Sequence, residues 1–511
     1  MLGPNVRPTP IQALSLKHLF ATLPLDTYRQ FLLASETGSG KSLAYLLPML
    51  HNLKATEHQQ SRVPGPRALV LAPTHELSRQ LASFGKALIH HSRLRVQCAS
   101  RANVASNIRS WVSAAKMANA FDGDHGGGEF EVCPGSETAY ALDVLVGTPS
   151  KLLSMARGNG WNKEFNEDEE ARRKKWVVGR PEVTLSEVEW VIVDEADVLF
   201  GACSSKIYLL NPLFDLCGTD PDFIDQTLLL LSDIAAARGK PVPAIGRGNG
   251  NMTQAPTPLN YPFNLVLTSA TIPAALAAHL DAYHPTMTRL VSPRLHRLPQ
   301  HLALEFAPYS SGNRNAEVLA KLKAIWRDNA LAGRGRARIV IFANTRVRVG
   351  EMGAYLSERG VPNIVVTGQG IKGQSNKQGR DERRVYGSNK HLEGFLKPMP
   401  NKNGPSHPQS SIAGGKEEVV RAGETEGQSP RVLLSTSLLA RGLDFDPSVS
   451  HVFVLDLPRN TADFLHRAGR TARAGGRGKV IVFGKGGGRG AGKLREMRQK
   501  LAALATLTRP R

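Results

Sequence analysis

Cysteine is scarce in this 511-residue chain, and the four present, Cys98, Cys133, Cys203 and Cys217, never stand in a C-x-x-C pair. Neither a zinc site nor a disulfide framework is therefore expected, and all four are read as reduced bystanders. Long apolar runs are missing as well: none reaches the roughly 20 residues needed to cross a bilayer, so no membrane insertion is expected. The first twenty residues lack the charged-then-apolar layout of a secretory signal, and they hold few arginines and no amphipathic pattern. No internal repeat recurs at a fixed period, which argues against a repeat array. Acidic residues are in deficit, 44 against 65 Lys and Arg, giving a net charge of +21. That imbalance points to a polyanionic partner, either nucleic acid or an anionic surface. Residues 431–511 carry +11 of it, with 16 Lys and Arg against 5 Asp and Glu.

What the chain does contain is a succession of short β-branched runs separated by longer helical stretches, the mark of parallel sheets covered by helices. The first half offers strands at Phe31 to Ala34, Ala68 to Ala72, Val144 to Gly147, Trp190 to Asp194 and Leu265 to Thr268. A second set follows at Arg338 to Ala343, Ile364 to Val366, Val432 to Ser435, Val452 to Leu455 and Val480 to Phe483. Between the sets, a stretch rich in proline and histidine from Tyr283 to His301 reads as an interdomain linker, narrowed to 291–301. The expected domains are 1–290 and 302–490, with a basic tail at 491–511. Segments 157–181, 238–262 and 370–430 carry little apolar periodicity and read as surface insertions. The basic Gly-rich stretch Lys485 to Lys493, with Leu494 to Leu504 after it, suits either sequence-independent phosphate contacts or a solvated tail.

The strongest local signal is Ser35-Glu36-Thr37-Gly38-Ser39-Gly40-Lys41-Ser42, which follows an apolar strand and opens a helical run, the context a P-loop requires. Its glycines let backbone amides face phosphate oxygens, and the helix N-terminus adds positive charge. Lys41 would reach the terminal phosphates of a nucleotide and Ser42 would ligate magnesium. A second apolar strand, Trp190 to Val193, ends in Asp194-Glu195-Ala196-Asp197, where carboxylates emerge at the carboxyl end of a sheet. Asp194 would hold magnesium, mostly through water, and Glu195 would orient and deprotonate the attacking water.

With these residues in place, the chain resembles the DEAD-box ATP-dependent RNA helicases. The resemblance implies an α/β fold of two tandem RecA-like domains, each a mostly parallel sheet flanked by helices with loop insertions, and RNA-dependent ATP hydrolysis. Gln12, within Arg7-Pro8-Thr9-Pro10-Ile11-Gln12, looks like the glutamine that reads adenine. Pro73-Thr74 and Thr148-Pro149 fall at strand ends, where the family contacts the RNA backbone. Thr345, in Ile341-Phe342-Ala343-Asn344-Thr345, and Thr436, in Ser435-Thr436-Ser437, are similar to further RNA-binding positions. Ser269-Ala270-Thr271 resembles the element coupling hydrolysis to strand separation. Asp444, in Ala440-Arg441-Gly442-Leu443-Asp444, would by resemblance contact the ribose. His466-Arg467-Ala468-Gly469-Arg470-Thr471-Ala472-Arg473 is the most specific match: Arg470 and Arg473 are read as fingers on the γ-phosphate, His466 and Arg467 as coupling residues.

Several positions depart from the family pattern. An arginine is usual at His75, a Gly-Arg pair at Ser150-Lys151, an aspartate at Ser437 and a glycine at Ala472, and the aromatic residue expected upstream of Gln12 is missing, so the N-terminus is expected to be incomplete or processed. Catalytic groups persist while RNA-contacting ones have drifted. The P-loop with Leu43 and Leu46-Leu47-Pro48, and the insertion after Gly370, resemble the mitochondrial branch of the family, which acts in ribosome assembly. The expectation is a monomeric, mitochondrial enzyme using ATP and Mg²⁺ on structured RNA, ribosomal RNA included, with ribosome assembly proteins as partners. The alternative is an ATP-gated RNA clamp or assembly factor with little unwinding.

Overall fold

The computed structural model describes residues 7–20, 28–56, 65–99, 142–158, 161, 181–200, 223–243, 257–309, 313–366, 392–397, 430–473 and 476–506, apart from 90, 91, 93, 294, 296, 299, 300, 393, 439, 440 and 487. Cys133, Cys203, Cys217 and most of the three expected insertions lie outside the described residues; Cys98 is buried and forms no disulfide among the described residues.

Seven strands form the first sheet: β1 (Gln30–Ala34), β2 (Ala68–Leu71), β3 (Val96–Ala99), β4 (Val144–Gly147), β5 (Trp190–Val193), β6 (Asn264–Ser269) and β7 (Thr288–Val291). Their order is β3-β4-β2-β5-β6-β1-β7, and every pairing is parallel. Parallel sheets need cover on both faces, and the sequences FLLA, ALVL and WVIV supply it with unbroken apolar runs. Alternate residues part to the two faces: Phe31 and Leu33 join one apolar layer, Leu32 and Ala34 the other. The covering helices are α1 (Pro10–Phe20), α2 (Lys41–Ala55), α3 (His75–Leu88), α4 (Pro149–Arg157), α5 (Ala196–Leu199), α6 (Phe223–Ala237) and α7 (Ala274–Tyr283).

The second sheet repeats the plan with β8 (Leu302–Tyr309), β9 (Arg338–Ala343), β10 (Asn363–Val366), β11 (Val432–Thr436), β12 (Val449–Val454) and β13 (Gly478–Lys485), in the order β10-β11-β9-β12-β13-β8, again all parallel. Helices α8 (Arg314–Leu331), α9 (Arg346–Glu358), α10 (Thr461–Ala468) and α11 (Gly488–Thr506) accompany it. Asn313, Thr345 and Asn460 cap α8, α9 and α10, each side-chain oxygen accepting a backbone N–H of the first turn.

Four sequence expectations change. The proline and histidine stretch from 283 is not all linker, because β7 lies in it and pairs with β1. The expected tail is helix α11 as far as Thr506, docked on the second sheet: Leu494 fills the space left by the missing side chain of Gly484, and Leu501 is buried. The second insertion is not all surface, because Leu259, Tyr261 and Pro262 are buried, the first two in the core. Within the third, Leu392 and Phe395 are buried and Leu396 bridges to Phe445. No helix among the described residues is long and apolar enough to cross a membrane.

Candidate functional site

Most residues singled out beyond α1 lie at or just beyond the carboxyl edge of a strand or at the helix start that follows, the edge where open α/β sheets bind ligands; Asp444 lies in the β11–β12 connection, and His466, Arg467, Arg470 and Arg473 lie in the last turn of α10 or just past it. The loop from β1 to α2 turns through Gly38 and Gly40, at φ 78° and 82°, which no side chain adopts readily. Gly40 is further fixed by Gln12, whose Nε2 would lie 2.3 Å from any Cβ there. The Gln12 amide straps the loop: its Oε1 accepts from Thr9 N at 3.0 Å and its Nε2 donates to Gly40 O at 3.2 Å. Thr9 Oγ1 adds a bond to Ser39 O at 2.7 Å. Lys41 Nζ donates to Ser35 O and Glu36 O at 2.7 and 3.0 Å, and burial pulls its pKa down despite the nearby Glu195 and Asp194 charges. Glu36 accepts from Ser35 Oγ and from Ser292 Oγ just past β7, so the edge strand missed in the sequence helps to hold the loop.

Asp194 sits at the end of β5, buried, with Tyr45 OH donating to Oδ2 at 3.1 Å and Thr268 Oγ1 donating to Oδ1. Burial, followed by the neighbouring Glu195 charge, pushes its pKa up to about 6. Among the described residues no lysine or arginine bonds to it. A buried carboxylate without a bonded cation, near the half-buried Ser42 hydroxyl and Lys41, is an all-oxygen donor set suited to a small hard cation such as magnesium. Glu195 stands in the left-handed region at φ 54°, and its Oε2 is buried without a hydrogen bond among the described residues. His466 Nδ1, likewise buried and unbonded, lies 3.7 Å from that oxygen.

Asp197 joins the two domains. From the first, Ser269 Oγ and Thr271 Oγ1 each donate to it at 2.9 Å; from the second, Arg441 Nη1 does so at 2.6 Å and His466 Nε2 at 2.9 Å. Burial alone would raise its pKa, but the Arg441 and His466 charges outweigh that and hold the carboxyl well below the usual range. The bond to a carboxylate puts the proton on His466 Nε2. Sequence reasoning named Ser269, Thr271 and His466 but gave no role to Asp197 or Arg441, although both stand inside quoted motifs.

The three arginines after His466 divide their tasks. Arg467 is wholly buried inside the second domain, bonded to Asp463 at 2.6 Å, Asn344 Oδ1 at 2.6 Å and Ser437 Oγ at 2.5 Å. Where the family has an aspartate, Ser437 offers only a hydroxyl, and Asp463 one helical turn away supplies the negative charge. Arg470 donates to the carbonyls of His466 and Leu443, and burial, followed by the Arg473 charge, brings its pKa down to about 9. The neighbouring Gly469 lies against Thr37 and the Glu195 charge acts on Arg470, which puts it across the cleft from the P-loop. Arg473 pairs with Asp444, whose backbone N–H and C=O both bond to Gln80 of α3. The domains also meet where Gly469 faces Thr37 and Gly442 faces Leu77, each without room for a Cβ.

Of the expected RNA-contacting residues, Pro73, Thr74, Thr148, Pro149 and Thr436 are buried and Thr345 half-buried. Thr74 and Thr345 cap α3 and α9, while Thr148 precedes α4 with its hydroxyl making no capping bond. They form two rows, one on each domain, and all but Thr436, the last residue of β11, stand at helix starts suited to phosphate oxygens.

A P-loop on one sheet faced by buried arginines from a second sheet defines a two-domain nucleoside-triphosphate-driven motor of the helicase type. Residues 9–211 match the model of the DEAD/DEAH box helicases, and residues 412–475 that of the helicase conserved C-terminal domain. Two strains of Cryptococcus neoformans have a protein named ATP-dependent RNA helicase MRH4, mitochondrial, that is 31% identical over 96% of this chain, which spans 81% and 65% of their lengths. The protein of that name in Saccharomyces cerevisiae is 25% identical over 94% of this chain and 72% of its own length. Among solved structures, S. cerevisiae Dbp5 bound to RNA and ADP BeF3 has a TM-score of 0.55 at 19% identity, over 98% of this chain and 87% of that one. Mss116p bound to ssRNA and AMP-PNP also scores 0.55, at 15% identity over 93% and 69%. The chain belongs to the DEAD-box family of ATP-dependent RNA helicases, and its fold is two tandem RecA-like domains.

Proposed function

We propose that this protein hydrolyses ATP in the interdomain cleft to remodel RNA locally in the mitochondrion, acting as a monomer on structured RNA, ribosomal RNA included, with ribosome assembly proteins as partners. The observation that carries the reading is the open Glu195 Oε2, buried beside the P-loop with Arg470 of the other domain across from it. A base lacking any bond of its own is ready to take a proton from water, and an arginine there stabilises charge developing on the γ-phosphate.

Residue roles follow from position. Gln12 reads adenine from the amide edge that braces Gly40; residues 35–42 wrap the phosphates; Lys41 leaves the Ser35 and Glu36 carbonyls for the β- and γ-phosphates. Ser42 and, through water, Asp194 would hold magnesium, which supplies charge neutralisation at the phosphates. Arg470 and Arg473 complete the γ-phosphate pocket, and Asp444, exposed beside Arg473, binds the ribose. Pro73, Thr74, Thr148 and Pro149 grip the RNA backbone from the first domain, Thr345 and Thr436 from the second. Ser269, Thr271, Asp197 and His466 carry the state of the nucleotide to that grip, while Arg467 keeps the second domain's half of the cleft in shape.

Glu195→Gln tests the assignment. Its RNA-stimulated ATPase rate should fall by roughly 10²- to 10⁴-fold while ATP and RNA binding persist. A variant that turned over at the parent rate would sink the reading.

A further inference from the structure

Helices α8 and α9 run antiparallel to the strands they cover, so their last turns lie at the amino edge of the second sheet, opposite Thr345 and Thr436. There α8, the loop before β9 and the turn before β10 enclose a groove of about 470 Å³. Lys323, Arg327, Arg334, Arg336 and Arg359 line it, with Trp326 among them and no acidic side chain in the lining. With β9 six residues long, the groove is on the order of 20 Å from the carboxyl-edge cleft.

Its cations lack the counter-charges that a merely solvated surface collects. Among the described residues, Lys323, Arg334 and Arg336 have no carboxylate partner, while Arg327 and Arg359 approach only the exposed neighbours Asp328 and Glu358, at 4.0 and 3.4 Å. Like charges gathered this way repel one another, and a polyanion relieves that repulsion. The aromatic rings are ordered to carry guanidinium groups. Trp326 is pinned by its Nε1–H to Ala337 O at 3.0 Å, Arg336 lies over its ring at 5.4 Å, and Arg359 lies over Tyr355 at 3.6 Å. A guanidinium laid on a ring keeps its N–H edge free for phosphate oxygens. Arg334 and Arg336 alternate with Gly333 and Gly335, at which an added side chain would meet nothing within 4 Å, so the loop is open to a bulky ligand.

We propose that this groove is a second RNA-binding surface, which holds the phosphate backbone of the same RNA outside the cleft. It rests on the reading of the protein as RNA-directed, since RNA is the polyanion that its cleft serves. A strand held there stays with the protein when the cleft opens.

The test compares the full chain with the triple variant Lys323→Ala, Arg334→Ala, Arg336→Ala, three exposed positions whose loss leaves the core intact. Anisotropy is measured on a short single strand that only fills the cleft, with a non-hydrolysable ATP analogue, and on the same strand with a long extension. The variant should bind the long RNA roughly tenfold more weakly, and its salt slope should fall by about 2, three cations at ~0.7 each. Short-RNA binding and RNA-stimulated ATPase should not change. Unaltered long-RNA affinity overturns the proposal, and so does an equal loss on the short strand. Loss of polyglutamate binding with RNA binding intact would make the groove a protein dock instead. If RNA failed to stimulate the parent's ATPase while the triple variant still lost long-RNA affinity, the cleft reading would fall and the groove would stand.

Discussion

Asp194 is buried, with no lysine or arginine bonded to it among the described residues. Without one, its pKa is raised from 3.8 to about 6, so the folded protein binds this proton more tightly than the unfolded chain. The stability tied to the group is therefore whole below about pH 4 and lost as pH rises through about 6, amounting to about 3 kcal/mol above it. Asp194→Asn removes that penalty while keeping the shape. The variant, free of nucleotide and magnesium, should melt a few degrees higher than the parent at pH 8, differ little from it at pH 4, and hydrolyse no ATP. Equal melting temperatures at pH 8 would count against this account. A second residue shows why a departure from the family is tolerable: Ala472, where glycine is usual, sits at φ 55°. The left-handed region costs a residue with a Cβ roughly 1–2 kcal/mol, part of which is offset by the backbone freedom that glycine would lose.

At the scale of elements, α10 depends on a charge placed one turn from its arginine. Arg467 is fully buried and Asp463 nearly so, and breaking such a pair by removing one partner is costly because the other charge stays behind. Asp463→Ala should destabilise the second domain by about 3–5 kcal/mol in denaturant unfolding. A loss under 1 kcal/mol would mean that Ser437 and Asn344 suffice for Arg467. The same scale separates what could be read in the sequence from what could not. Central strands such as β5 and β9 are apolar on both faces and announce themselves as unbroken runs. Two of the four edge strands do not: β7 exposes Thr288, Arg289 and Val291 and buries only Leu290, and β8 is mostly half-buried, whereas β10, also at an edge, stands out as Ile364 to Val366. With one flank open they need not be hydrophobic, so β7 and β8 carry no unbroken apolar run and β7 blends into the proline and histidine stretch; β3, though mostly buried, is four residues long with Gln97 inside it. Helix α11 was hidden by its glycine-rich, basic start, although Leu494 and Leu501 carry its docking.

For the whole molecule, the site is legible in the sequence within motifs and not between them. The P-loop and Asp194-Glu195 are runs of neighbours, so local spacing carries them. The bonds of Asp197 to Arg441 and of Gln80 to Asp444 span 244 and 364 residues, and only the closed arrangement brings these partners together. Closure is also a matter of fit. A Cβ at Gly469 would fall 1.9 Å from Thr37 Oγ1, so Gly469→Ala should hold the domains apart by a steric cost of about 1–3 kcal/mol. RNA-stimulated ATPase should drop about tenfold or more, whereas a fluorescent nucleotide should still bind the P-loop domain. Unchanged turnover would show that Thr37 simply rotates away. Asp197 adds a property that fit alone does not. Its carboxylate is surrounded by four donors, two per domain: Ser269 on Oδ1, and Thr271, Arg441 and His466 converging on Oδ2. Parting the domains withdraws half of these at once and leaves a dry anion half-served until water floods in. Opening the cleft therefore carries the cost of stranding a buried anion, so the junction works as a latch.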